Sequence, residues 1–124
     1  MEHQGKYTVA LQHGDFGYYA EVAVVVTVES GSPGLVVDVA EPVDAAWDAG
    51  ARFGVAYAFE KALMRGVQNK AVHVTITRIL GHVVDTTAVV VAYASARALW
   101  DALQLAPPRD ITLDSATGTF SFPK

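Results

Sequence analysis

Residues 18–29 read YYAEVAVVVTVE. Tyr18, Ala20, Val22, Val24, Val26 and Val28 share one parity, while Tyr19, Glu21, Thr27 and Glu29 share the other. A strand with this pattern has one buried face. Just upstream, residues 6–12 (KYTVALQ) place Tyr7, Val9 and Leu11 on one side. The link His13-Gly14-Asp15-Phe16-Gly17 between the two runs carries two glycines suited to a tight turn, so a hairpin is expected. Downstream, residues 30–34 (SGSPG) form a dense breaker cluster, and residues 35–39 (LVVDV) follow as a short strand. Three strands therefore precede any helix.

Pro42-Val43-Asp44 opens a helical stretch expected from about Asp44 to Arg65. Asp44 and Asp48 lie at its start, Lys61 and Arg65 near its end, and Gly66 follows, an order that suits the helix dipole and a glycine stop. Ala46, Gly50, Gly54, Ala58 and Ala62 recur every four residues, a stripe along which another backbone can approach closely. The two glycines each cost about 1 kcal/mol relative to alanine, which argues for a packing reason.

Residues 71–79 (AVHVTITRI) alternate Val72, Val74 and Ile76 against His73, Thr75 and Thr77, again a strand with one apolar face. Leu80-Gly81-His82 turns it, and Val83-Val84 can pair back briefly. Asp85-Thr86-Thr87 offers cap side chains to a second helix running to about Leu105, with its own small stripe at Ala88, Ala92 and Ala96. Pro107-Pro108 stops that helix, and residues 109–114 and 118–122 read as a final strand or hairpin. The order is β-β-β-α-β-(β)-α-β. It predicts an α+β two-layer sandwich, with both helices on one face of a mixed sheet of four to five strands and residues 1–124 forming one domain. The other sheet face carries Tyr19, Glu21, Thr27, His73, Thr75 and Thr77 and can meet water or a polar partner.

Composition supports a folded chain. Of 124 residues, 52% are apolar and 18% charged, with 20 alanines and 19 valines, which excludes a disordered or collagenous polypeptide. The absence of cysteine removes disulfides, thiolate metal sites and cysteine nucleophiles, and favours a cytoplasmic setting. Nine Lys and Arg face thirteen Asp and Glu, a net charge of −4. The basic residues are scattered, so binding to nucleic acid by charge alone is not expected. The longest uncharged run, Thr86 to Ala96, falls far short of the ~20 apolar residues that span a bilayer. No secretory signal opens the chain and no membrane partner is expected.

Motifs for chemistry are sparse. No glycine-rich loop precedes a Lys-Ser/Thr pair, so there is no nucleotide-binding motif. No Gly-x-Ser-x-Gly elbow is present. Asp44 and Asp48 lie one turn apart, as acid-base catalysis could use, but first-turn acids facing the helix N-terminus account for them. His13 and Asp15 in one turn and His82 and Asp85 in another would make a two-His, two-acid metal site only if the turns converged. Solvated turn residues are the simpler reading, and no metal, cofactor or catalytic residue is assigned. Trp47 and Trp100, one per helix, read as core or rim aromatics.

The element order and several short stretches resemble the fourth domain of the elongation factor G and elongation factor 2 family, which includes the ribosomal protection proteins. Residues 72–103 carry the clearest likeness: a valine-rich strand, a turn with Gly81 and His82, then Val84-Asp85-Thr86-Thr87 before an alanine-rich helix. Residues 14–20 (GDFGYYA) are similar to the family's glycine-rich turn before a long strand, and residues 59–66 (FEKALMRG) to its helix end. The likeness covers about Gly5 to Leu113. It implies the ribosomal protein S5 domain 2-like fold, with that fold's left-handed crossover. It also implies two tip loops that reach RNA at the ribosomal decoding centre, here Gly14, Asp15, Phe16 and Gly17, and Gly81, His82 and Asp85. The chain departs from the family in carrying Asp15 and Phe16 where a basic residue is usual, in a shorter second loop, and in lacking a GTPase domain.

The expected function is therefore a non-catalytic, stand-alone module that binds the ribosome or an RNA-containing complex through its tips. The alternative is a module for protein interaction or homo-oligomerisation, using the open sheet face around Tyr19, His73 and Thr75.

Overall fold

The computed structural model describes residues 2–13, 16–30, 34–40, 43–63, 70–81, 86–103, 112–114 and 119–121. The elements are β1 (Glu2–His13), β2 (Phe16–Ser30), β3 (Gly34–Val39), α1 (Ala45–Leu63), β4 (Lys70–Gly81), α2 (Ala88–Ala102), β5 (Thr112–Asp114) and β6 (Thr119–Ser121). Four strands form a mixed sheet in the order β1-β2-β4-β3, with β5 and β6 as a separate antiparallel pair. β1 and β2 form the expected hairpin, β4 runs antiparallel to β2, and β3 lies parallel to β4. The architecture is the α+β two-layer sandwich that the sequence predicts.

The parity of residues 18–29 holds. Ala20, Val22, Val24 and Val26 are buried, as are Val72, Val74 and Ile76 of β4. The alternation in β4 then breaks. Ala23 pairs with Arg78 and Val24 with Ile76, which leaves Thr77 as an extra residue. This bulge shifts the phase, so Ile79 points into the core while Thr77 and Arg78 are both exposed. Thr77 Oγ1 donates to Ala23 O at 3.2 Å, satisfying a carbonyl at the irregularity.

Helix α1 begins one residue later than expected, because Asp44 acts as its cap: Asp44 Oδ1 accepts from Ala46 N at 2.8 Å. Thr87 caps α2 in the same way, accepting from Val90 N. α2 also ends earlier than expected, at Ala102. Its residues 90–96 are buried without interruption, because α2 lies between α1 on one side and β1 and β2 on the other. An apolar helix enclosed in this way needs no polar stripe.

The small stripe of α1 meets the small stripe of α2. A Cβ placed on Gly54 would fall on the backbone of Ala92, with its carbonyl carbon at 2.8 Å, and one on Gly50 would stand 2.9 Å from Ala88 Cα. The helices thus touch backbone to backbone, an approach that only glycine permits. Beyond this contact Trp100, 1% exposed, donates from Nε1 to Ala58 O at 3.2 Å. Trp47 sits at the rim, its Nε1 donating to Thr86 O at 3.3 Å. Both tryptophans take the core and rim positions expected for them.

Candidate functional site

Two regions emerge from the sequence reading, the open sheet face and the end of the sheet where the turns emerge. The register relates them. His13 pairs with Phe16 at the end of the hairpin, whereas β4 ends at Gly81, opposite Ala20. The β1–β2 turn and the segment after β4 therefore leave the sheet at the same end. The hairpin extends four residues past β4, about 13 Å at the usual rise. Gly17 lies in the extension, opposite Gln12. Gly81 sits against Thr86, whose Cγ2 would be 2.6 Å from any added Cβ, and Thr86 Oγ1 donates to Tyr19 O at 2.5 Å. The start of α2 is thus tied to the base of the hairpin. Gly14, Asp15, His82 and Asp85 lie outside the described residues, as does any convergence of the two His-acid turns, and Phe16 is placed only as a strand residue. Val83 and Val84, expected to pair back, also lie outside.

On the helix side the hairpin is held by an aromatic group that the sequence reading missed. Tyr18 and Phe120 meet edge to face at 5.2 Å, as do Tyr93 and Tyr7 at 6.0 Å, and Phe120 and Tyr93 are tilted against each other at 5.2 Å. The Arg97 guanidinium lies 4.7 Å from the centre of the Tyr7 ring, a cation–π distance. Burial pushes the Tyr93 phenol above its ordinary pKa and Tyr7 adds to this, while Arg97 pulls the other way. The four rings come from β1, β2, α2 and β6, so no local spacing announces them.

The open face has a polar centre and a polar margin. Glu21 accepts from Thr8 Oγ1 at 3.4 Å and lies 3.5 Å from Lys6 Nζ and 3.9 Å from Arg78 Nη1. One carboxylate thus faces two cations, and both cations are more than half exposed. Arg78 reaches this group because the bulge turns it outward. At the margin His73 Nε2 stands 2.6 Å from Asp38 Oδ2 across the β3–β4 pair. Thr27 and Val36 flank His73 in register, and Thr75 lies beside Asp38. Val36 is 56% exposed, the most exposed large apolar side chain described. His73 and Thr75 therefore share one patch. Tyr19 lies towards the other end of β2, near Ala10 in register, so the structure separates it from that pair.

The acids of α1 are engaged structurally. Asp44 caps the helix and Asp48 binds Arg52, Oδ1 to Nε at 2.6 Å. Among the described residues no three His, Asp or Glu side chains gather as a metal site would require. None of the described helices is long and apolar enough to cross a membrane.

The fold recurs within a larger protein. A protein from Thermus thermophilus of known crystal structure is similar over 78% of this chain at a TM-score of 0.61 and 19% identity. The matched region is 15% of that protein's length, so this chain corresponds to a small part of it. At this identity the likeness speaks of fold and not of activity. Mevalonate kinase from methicillin-resistant Staphylococcus aureus overlaps 86% of this chain and 40% of its own at 18% identity, but a TM-score of 0.44 carries no argument. No protein-family model matches the chain, and no curated protein does.

Proposed function

We propose that this chain is a non-catalytic module resembling domain IV of elongation factor G, and that it binds the ribosome or another RNA-containing complex in the cytoplasm. The observation that carries this reading is the shared exit of the β1–β2 turn and the segment after β4 at one end of the sheet. A hairpin that protrudes past the end of β4 is the geometry that a tip-first RNA contact needs. Lys6 and Arg78 support it, since both are exposed on the open face beside a single carboxylate and so offer positive charge to phosphate. The net charge of −4 makes the contact local, confined to the tip and this part of the face.

The test is cosedimentation with purified ribosomes at two salt concentrations. The expected outcome is binding that weakens as salt rises and is reduced by His82→Ala and by Arg78→Ala. No cosedimentation at low salt, or binding indifferent to both substitutions, would remove the reading. A second reading, a protein contact through the open face, is favoured by the exposure of Val36 beside His73. Binding to a ribosome-free protein fraction that Val36→Asp abolishes would support it instead.

A further inference from the structure

Among the described residues β1 and β3 are the edge strands of the sheet, and one charged side chain from each helix reaches over one of them. Residue Ala40 donates its N–H to Ile76 O at 2.9 Å. With Val39 in register with Ile76, the parallel pattern directs the backbone groups of residues 36, 38 and 40 towards β4. The carbonyl of Val37 therefore points away from the sheet, where a further strand would pair. Arg52 Nη1 occupies that position, donating to Val37 O at 2.9 Å. The Asp48 carboxylate holds the guanidinium in place through Nε at 2.6 Å.

The opposite edge is treated in the same way with the charges reversed. The Lys6 N–H turns away from β2 and donates to Asp101 Oδ2 at 3.2 Å. Asp101 can reach it because α2 lies directly on the backbone of β1: a Cβ on Gly5 would overlap Ala98 O and stand 2.6 Å from Ala102 N. Free strand edges template pairing with other chains. β1 has twelve residues, about 40 Å of edge, and every copy of the chain brings the same edge to an encounter.

We infer that Arg52 and Asp101 close the two sheet edges against strand addition by a second copy of this chain. A strand added along the middle of either edge meets the Val37 carbonyl or the Lys6 amide, and each already has a charged partner tethered to a helix. Displacing that partner costs the incoming strand a charge-assisted hydrogen bond at the middle of its ladder.

The test is the double variant Arg52→Ala/Asp101→Ala, which removes one charge of each sign and so leaves the net charge unchanged. Sedimentation velocity over a concentration series, with circular dichroism to confirm folding, compares it with the parent chain. The expected result is self-association about tenfold tighter than the parent's, with Arg52→Ala alone opening β3 and Asp101→Ala alone opening β1. A folded double variant that associates no more than the parent overturns the inference, as does a parent that already pairs through either edge. Should the double variant fail to fold, amide hydrogen exchange in Asp101→Ala, which leaves no acceptor at that position, decides. The Lys6 amide should then exchange about tenfold faster while the core amides of β2 stay protected, and an unchanged Lys6 rate overturns the assignment at β1.

Discussion

Replacing Gly54 with alanine sets two effects against each other. In a solvent-exposed helix the change stabilises by about 1 kcal/mol, because alanine loses less backbone entropy. Here the new methyl group would fall on three backbone atoms of Ala92: its carbonyl oxygen, its carbonyl carbon at 2.8 Å and its Cα at 2.9 Å. Carbon atoms in contact prefer about 3.5–4.0 Å, so the helices must part by about 1 Å. The obstacle is backbone on both sides, with no flexible side-chain end to yield. That places the cost at the upper end of the ~1–3 kcal/mol typical of overpacking, and the net effect is a destabilisation of about 2 kcal/mol. For a chain of this length the melting temperature should fall by roughly 6–10 °C. Thermal and urea unfolding followed by circular dichroism would measure it, with Ala56→Gly on the exposed face of α1 as the control for propensity. Adding Ala92→Gly should give no rescue, because the clash is with main-chain atoms. A Gly54→Ala protein that melts above the parent would refute the close-approach argument.

Two further outcomes follow from buried polar groups. Ser95 is fully buried in α2 and its hydroxyl has no hydrogen-bond partner among the described residues; Ser95→Ala should therefore stabilise by about 1 kcal/mol, read as a higher urea midpoint at unchanged slope. The Tyr93 phenol titrates above its ordinary range in the fold, chiefly through burial. Its contribution is constant below pH ~10 and is lost as pH rises further, because the unfolded chain releases the proton first. Urea unfolding between pH 8 and 11 should show a steeper alkaline decline for the parent than for Tyr93→Phe; identical slopes would count against the burial of that ring.

What could be read in advance follows from what side-chain order encodes. The face of β2 was legible because period two is a property of a single strand, and Tyr18 to Glu29 keep it throughout. The helix contact was legible because Gly50 and Gly54 have no local purpose in a helix. Pairing partners were not, since nothing in residues 34–39 says that they run parallel to β4 and not beside β1. The bulge at Thr77 left one trace, the misplaced Ile79, which a strict alternation would have exposed to water. The tyrosine and phenylalanine group around Tyr93 left none, its members being drawn from four separate elements. Of the candidate site, His73 and Thr75 were placed on the open face by parity alone. The pairing of His73 with Asp38 needed the strand order, and the outward turn of Arg78 needed the bulge.

The enclosure of α2 also bears on how the chain is made. β1 and β2 are complete by Ser30, yet the helix that covers Val9, Val22 and Val24 ends only at Ala102. During synthesis the apolar side of the hairpin must therefore wait for roughly 70 further residues, about 4–14 s at ordinary elongation rates. The hairpin closes through local pairing, but its shelter depends on contacts distant in sequence, which form slowly. For that interval the nascent chain presents a two-stranded ribbon with a valine-lined underside, so the speed of translation sets how long that surface waits for its cover.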